Sequence, residues 1–170
     1  MSAPTTAVAR PGALRRRTGL LALAAALAGG DLAIKAWAER TLPGAPIEGG
    51  PLDLQLAFNP GVAFSFAADA PAWTVLTVTA LITTAVAVAL WRTAPVARRS
   101  WGTALAAILG GAAANLIDRA PDGQVTDYLH TGWWPTFNLA DVFIVAGGIG
   151  IVVLSFLGSE HDRDQRASRD

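Results

Sequence analysis

Four runs of about twenty mostly apolar residues, divided by short polar segments, leave this chain few ways to fold. A helix needs about 20 apolar residues to cross a bilayer core, and residues 18–37, 72–91, 102–119 and 139–158 each come close. The second run, AWTVLTVTALITTAVAVALW, is the clearest. Its tryptophans at 73 and 91 are 18 residues apart. That separation is about 27 Å along a helix, close to a hydrocarbon thickness. The first run is interrupted by Asp31 and Lys35 in its C-terminal half. The expected fold class is an all-α membrane protein of four transmembrane helices.

The remaining composition agrees. The chain has 170 residues, enough for one domain, with 15% charged residues and a mean hydropathy of +0.41; soluble domains carry about 25% charged residues. A net charge of zero gives no basic field for nucleic acid. Without cysteine there can be no disulfide, no thiolate chemistry, no Cys-based zinc site and no lipid on a cysteine of its own. Arg15, Arg16 and Arg17 before GLLALAAALAGG resemble a signal peptide. The spans that follow favour a retained first helix.

Charge sets the direction. Ten of the thirteen basic residues lie before span 1, between spans 2 and 3, or after span 4, leaving Lys35, Arg40 and Arg119 on the other side. The positive-inside rule puts both termini in the cytoplasm of a multi-pass protein. Trp37, Trp73, Trp133 and Trp134 then lie at the outer interface, with Trp91 and Trp101 at the inner one, as an aromatic belt requires.

Two segments are left outside. Residues 38–71 hold Pro43, Gly44, Pro46, Gly49, Gly50 and Pro51, then LDLQLAF, whose alternation suits a short strand. Residues 120–138 hold the turn signal PDG and the cluster GWWPTF, read as a loop or helix on the periplasmic side. Neither has a core of its own, so both should lie over the helix ends. Residues 159–170 read as a polar, disordered cytoplasmic tail. No internal repeat is present.

The outer side therefore collects Asp31, Glu39, Glu48, Asp53, Asp69, Asp118, Asp122, Asp127 and Asp141. Ionisable groups near membrane depth point to function, yet most have a plainer explanation. Asp31 and Lys35 have i, i+4 spacing and can pair. Arg119 can neutralise Asp118 in a helix-end network with Asn115. Asn138 and Asp141 have capping-box spacing, and Asp122 precedes a glycine in a turn. Asp127, in QVTDYLH, fits none of these. Fourteen residues separate Asp127 from Asp141, and a chain that turns back over the outer face can bring them together. Two such carboxylates resist simultaneous ionisation, so one holds a proton while the other activates water. Rival chemistries are poorly supplied: two histidines without HExxH, a formal Ser65–Lys35 pair without a local signature, and no GxSxG or P-loop.

These motifs, in order, resemble the bacterial lipoprotein signal peptidases (signal peptidase II). DLAIK carries Asp31 and Lys35, NPGVAF spans 59–64, GGAAANLIDR spans 110–119, GQVTD ends at Asp127 and FNLAD ends at Asp141. Two departures stand out: Ala114 where the family often has glycine, and a somewhat short link from Asp127 to Asp141. The resemblance implies a membrane aspartyl endopeptidase that needs no metal or cofactor. It would remove the signal peptide from diacylglyceryl-prolipoproteins, cutting on the amino side of the lipidated cysteine. It implies Asp127 and Asp141 as the catalytic dyad. Asp31, Lys35, Asn59, Gly61, Asn115, Asp118, Arg119 and Asn138 would support the site or bind substrate. Residues 42–67 would form a small extracytoplasmic β-platform. The expected setting is the bacterial cytoplasmic membrane, with the active site near the outer face, prolipoprotein and membrane lipid as partners, and a monomeric enzyme. Rival readings are a four-helix transporter that uses intramembrane carboxylates, and an intramembrane peptidase indifferent to lipidation.

Overall fold

The computed structural model describes residues 11–61 and 71–167, with the backbone alone at 11, 72 and 158–167. Residues 62–70 lie outside that range. Part of NPGVAF, part of the expected platform, Ser65 and Asp69 fall there.

Four helices form, each long and apolar enough to cross a membrane. The first, α1 (Pro11–Thr41), is longer than the expected span. Proline suits its first position, because no intrahelical partner awaits an N–H there. Strand β1 (Asp53–Asn59) follows, then α2 (Ala72–Thr93) and α3 (Arg99–Arg119). In α2 the hydroxyls of Thr77, Thr79, Thr83, Thr84 and Thr93 donate to carbonyls one turn back at 2.7–2.8 Å. That internal bonding makes threonine tolerable in an apolar span. Strand β2 (Val125–His130) and α4 (Leu139–Ala167) complete the chain.

Two expectations need correcting. The segment 120–138 supplies β2 rather than a loop or helix alone; Val125 and Thr126 are β-branched, and β1 provides the pairing edge. The tail expected to be disordered is helical as far as Ala167. After Gly158 it contains no proline or glycine to stop the helix.

α3 is the central helix. Of its apolar window 44% is buried, against 11–22% for the other three. Small residues allow the approach. A Cβ on Gly110 would lie 2.8 Å from the Ala24 carbonyl oxygen of α1. One on Gly111 would lie 2.3 Å from the Ala140 carbonyl oxygen of α4. Gly147 of α4 sits as tightly against Ala104 of α3. Ala114 is fully buried against Ala28 and Ala140, so its methyl group is accommodated. Such contacts are how helices associate where lipid competes for every apolar surface.

β1 and β2 pair antiparallel, Ala57 opposite Asp127 and Asn59 opposite Val125, with an irregularity between Leu54 and Ala57. Backbone bonds between Leu129 and Phe137 fold the chain back after β2 and deliver it to α4. The sheet lies on the bundle end where α1 and α3 finish and α4 begins. Ala38, Leu42 and Tyr128 are buried there, with Leu54, Leu56, Leu129 and Leu139 packed around them.

Candidate active site

The first turn of α4 organises the site. The opening N–H groups of a helix lack intrahelical partners and cost free energy if buried unpaired. Here each has a partner. Asn138 Oδ1 accepts from the Asp141 N–H (3.0 Å) while Asp141 Oδ2 accepts from the Asn138 N–H (3.3 Å), a reciprocal capping box. Leu139 N–H donates to the Tyr128 hydroxyl (3.1 Å) and Ala140 N–H to Asp31 Oδ1 (3.1 Å). Asp141 is therefore both a cap and a candidate for chemistry, as the two roles use different faces of one carboxylate.

Asp127 reaches the same place from β2. Its side chain is almost fully buried; Oδ1 accepts from Asn138 Nδ2 (2.6 Å) and Oδ2 from Asn59 Nδ2 (3.1 Å). Asn138 thus contacts both candidate carboxylates, Asp127 through its amide and Asp141 through its backbone. Burial, chiefly, pushes the Asp127 carboxyl up to about 6. The charge on Asp141 adds to the rise, while Asn59, Asn138 and Lys35 oppose it.

Three asparagines point amide N–H groups at the pair, and each is oriented by a neighbour. Asn59 Oδ1 accepts from Gly61 N–H (2.8 Å), which turns its Nδ2 to Asp127. Gly61 has φ 92, and a Cβ there would lie 2.6 Å from Val75 Cγ1, so glycine is required. Asn115 Oδ1 accepts from Lys35 Nζ (2.6 Å), which turns its Nδ2 to Asp141 Oδ1 (2.8 Å). Asn138 is fixed by its cap bond. Neutral donors orient the carboxylates without adding a cation that would hold both ionised.

Behind the asparagines lies a charged layer. Lys35 Nζ is 3.1 Å from Asp31 Oδ2 and 3.0 Å from Asp118 Oδ2, all three groups being largely buried. The expected Asp31–Lys35 pair is present. The expected Arg119–Asp118 pair is not, among the described residues. Successive residues on a helix point about 100° apart, so Asp118 turns to Lys35 of α1 while Arg119 turns to the Asn59 carbonyl (Nη2–O 3.4 Å). Asp118 Oδ2 also accepts from Thr126 N–H (2.8 Å), holding the residue next to Asp127.

Glu39, Thr126 and Tyr128 join the site's hydrogen-bond network, although only Thr126, inside GQVTD, falls in a motif. Thr126 Oγ1 donates to Glu39 Oε1 (2.6 Å). Residues 31, 35 and 39 share i, i+4 spacing, a readable sign that Glu39 lies on the site's face of α1. Tyr128, the sole tyrosine, had no such signal.

A groove of about 510 Å³ opens from Asp141. Trp133, Trp134 and Phe137 line one side, and Val142, Val145 and Ile149 continue it along α4. A carboxylate thus stands at the head of an apolar channel. The arrangement can position water between two acids and hold an apolar chain beside them.

Comparison with known proteins follows the same lines. Residues 23–157 match the family described as Signal peptidase (SPase) II. A lipoprotein signal peptidase of Mycobacterium avium (strain 104) is 41% identical over 87% of this chain and 84% of its own. One from Xylella fastidiosa (strain 9a5c) is 39% identical over 83% and 90%. A solved bacterial membrane enzyme superposes with a TM-score of 0.72 at 23% identity, over 85% of this chain and 91% of that one.

Proposed function

The chain belongs to the signal peptidase II family, and from that premise we propose that Asp127 and Asp141 are its catalytic dyad. The enzyme is an aspartic-type endopeptidase that removes signal peptides from prolipoproteins. The observation that carries the dyad is the set of three oriented asparagines, whose amides converge on these two carboxylates among the site's described acids.

Asp141 takes a proton from water as the water oxygen attacks the scissile carbonyl carbon. Asp127, whose burial favours holding a proton, gives that proton to the carbonyl oxygen. The tetrahedral intermediate then collapses, the C–N bond breaks, and the leaving amine takes the proton held by Asp141. The oxygen returns its proton to Asp127, and the dyad is restored. Water and two carboxylates suffice, so chelators should leave the rate unchanged.

The four apolar helices suit a multi-pass protein of the bacterial inner membrane. We place both termini in the cytoplasm and the dyad near the outer face, on the distribution of basic residues. The apolar groove below Asp141 suits the signal peptide or the acyl chains of the diacylglyceryl cysteine. We take the working unit to be a monomer, because one chain can supply both carboxylates and the three asparagines that orient them.

A gel-shift cleavage assay tests the reading. Purified enzyme in detergent receives a prolipoprotein with and without its diacylglyceryl group, beside Asp127→Asn and Asp141→Asn. Cleavage of the lipidated form alone, absent in both variants, is expected. Equal cleavage of both forms would remove the lipid from recognition. Full activity in Asp127→Asn would transfer its role to Asp118.

A further inference from the structure

Tyr128 follows Asp127 directly, yet its side chain serves the helix that carries Asp141. Its ring is buried against Ala38 and Leu42, and its hydroxyl makes two bonds. The hydroxyl donates to Asp31 Oδ1 (3.1 Å) and accepts from Leu139 N–H (3.1 Å). One atom therefore ties β2, the C-terminal half of α1 and the first turn of α4. Asn138 is the other residue joining the two carboxylates, and it precedes Leu139. Phe137, in turn, is bonded back to Leu129. The segment 137–139 is thus fixed at three successive residues, and the Tyr128 hydroxyl holds the last. Burial pushes the phenol far above its usual value, so it stays protonated and keeps donating to Asp31.

We propose that Tyr128 is a positioning residue for this reaction, its hydroxyl setting the separation of Asp127 and Asp141 by clamping the Leu139 amide to the strand that carries Asp127. The proposal rests on the dyad assignment above. Separation sets how strongly one ionised carboxylate resists ionisation of the other, and hence how far apart the two apparent pKa values of the pair lie. The other charged groups facing the pair are Asp31 and Lys35 from α1, and Asp118 and Arg119 from α3. Glu39 of α1 lies against neighbouring Thr126, and α2 brings no charge between Ala72 and Trp91. Removing the hydroxyl changes none of these charges; of the groups named only Asp31 loses a bond, and it keeps Lys35 and the Ala140 N–H.

Tyr128→Phe keeps the ring in its cluster and removes the clamp together with the bond to Asp31; Tyr128→Met removes the hydroxyl with a different apolar body. For both variants in detergent with a lipidated precursor, kcat is expected to fall about tenfold with KM within about twofold, the signature of misplaced catalytic groups. The bell-shaped pH profile should narrow as the two apparent values draw together. Amide exchange at Leu139 should quicken in the absence of substrate, a readout independent of activity. Unchanged exchange at Leu139 in a folded variant overturns the clamp. A lowered Tm with native kcat and native bell width overturns the positioning role and leaves a structural tyrosine. Asp141→Asn retaining activity would instead overturn the dyad assignment, whatever the exchange data say.

Discussion

The sheet end of the bundle and its opposite half are built from the same helices by different means. Away from the sheet, α1, α2 and α3 meet through Leu20, Ala24, Leu90, Ala94, Leu105, Ala106 and Leu109, an apolar cluster. Charged groups there lie at the rim, where Arg17 stacks over the Trp91 ring at 4.5 Å and Arg16 donates to the Ala97 carbonyl. At the sheet end the buried residues include Asp31, Lys35, Asn115, Arg119, Thr126, Asp127 and Asn138. Shape complementarity holds the first region, and hydrogen-bond complementarity the second. Trimming an apolar side chain loses its contacts and leaves a cavity that neighbours can partly refill, whereas a buried polar group deprived of its partner keeps a desolvation penalty that no repacking relieves. The sheet end should therefore be much less tolerant of substitution.

The largest effect should come from the acids themselves. Asp127→Asn and Asp141→Asn are each expected to lower kcat/KM by about 10³-fold or more, towards the upper limit for losing a general acid or base. Circular dichroism and gel filtration should stay native. Next is Lys35→Met, which leaves Asp31 and Asp118 buried without their shared cation. Breaking a buried pair costs about 3–5 kcal/mol, read as a lower melting temperature and loss of cleavage. A variant as stable as the native enzyme would mean that the charged layer is dispensable.

The third test uses pH. The Asp127 carboxyl is raised to about 6 in the folded protein, against an ordinary value of 3.8. Its contribution to stability is therefore complete below about pH 4 and is lost as pH rises through about 6. The melting temperature of the native enzyme should fall between about pH 4 and 6 and level off above, with a shallower fall in Asp127→Asn. Equal slopes would place the titration elsewhere.

The smallest effects compare two glycines. Gly111→Ala puts a methyl group 2.3 Å from the Ala140 carbonyl oxygen. It should cost about 1–3 kcal/mol, as overpacking does, and should slow cleavage by moving the first turn of α4. Gly150→Ala would place its methyl 3.6 Å from Ala104 Cβ, an ordinary approach. Its stability should stay within about 0.5 kcal/mol of native. If the two cost the same, the close approach of α3 to the first turn of α4 at Gly111 is not what positions that turn.

Much of this was legible in the residues because it is local. Span length and tryptophan placement marked the helices, i, i+4 spacing marked Asp31 with Lys35, and capping-box spacing marked Asn138 with Asp141. What was not legible depends on partners distant in the chain. β2 is six residues long, and its pairing edge lies some seventy residues upstream in β1. Asp118 was matched with the adjacent Arg119, whereas its cation is Lys35, brought near only when α1 packs on α3. Nothing in TDYLH announces that the tyrosine hydroxyl will cap α4. The dyad itself came from motif order, because two aspartates fourteen residues apart do not reveal that they converge.

The i, i+4 pairing of Asp31 with Lys35 has a consequence for biosynthesis. Helix α1 leaves the ribosome long before α3, so for a time the pair must enter lipid without Asn115 or Asp118. With the two charges 3.1 Å apart on one helix, α1 can be admitted to the bilayer as a nearly neutral segment. The later helices then draw on a cation already in place. Because α4 is synthesised after all its partners, the nascent chain brings the proposed dyad together only when α4 docks, and the protease is expected to be inert until then.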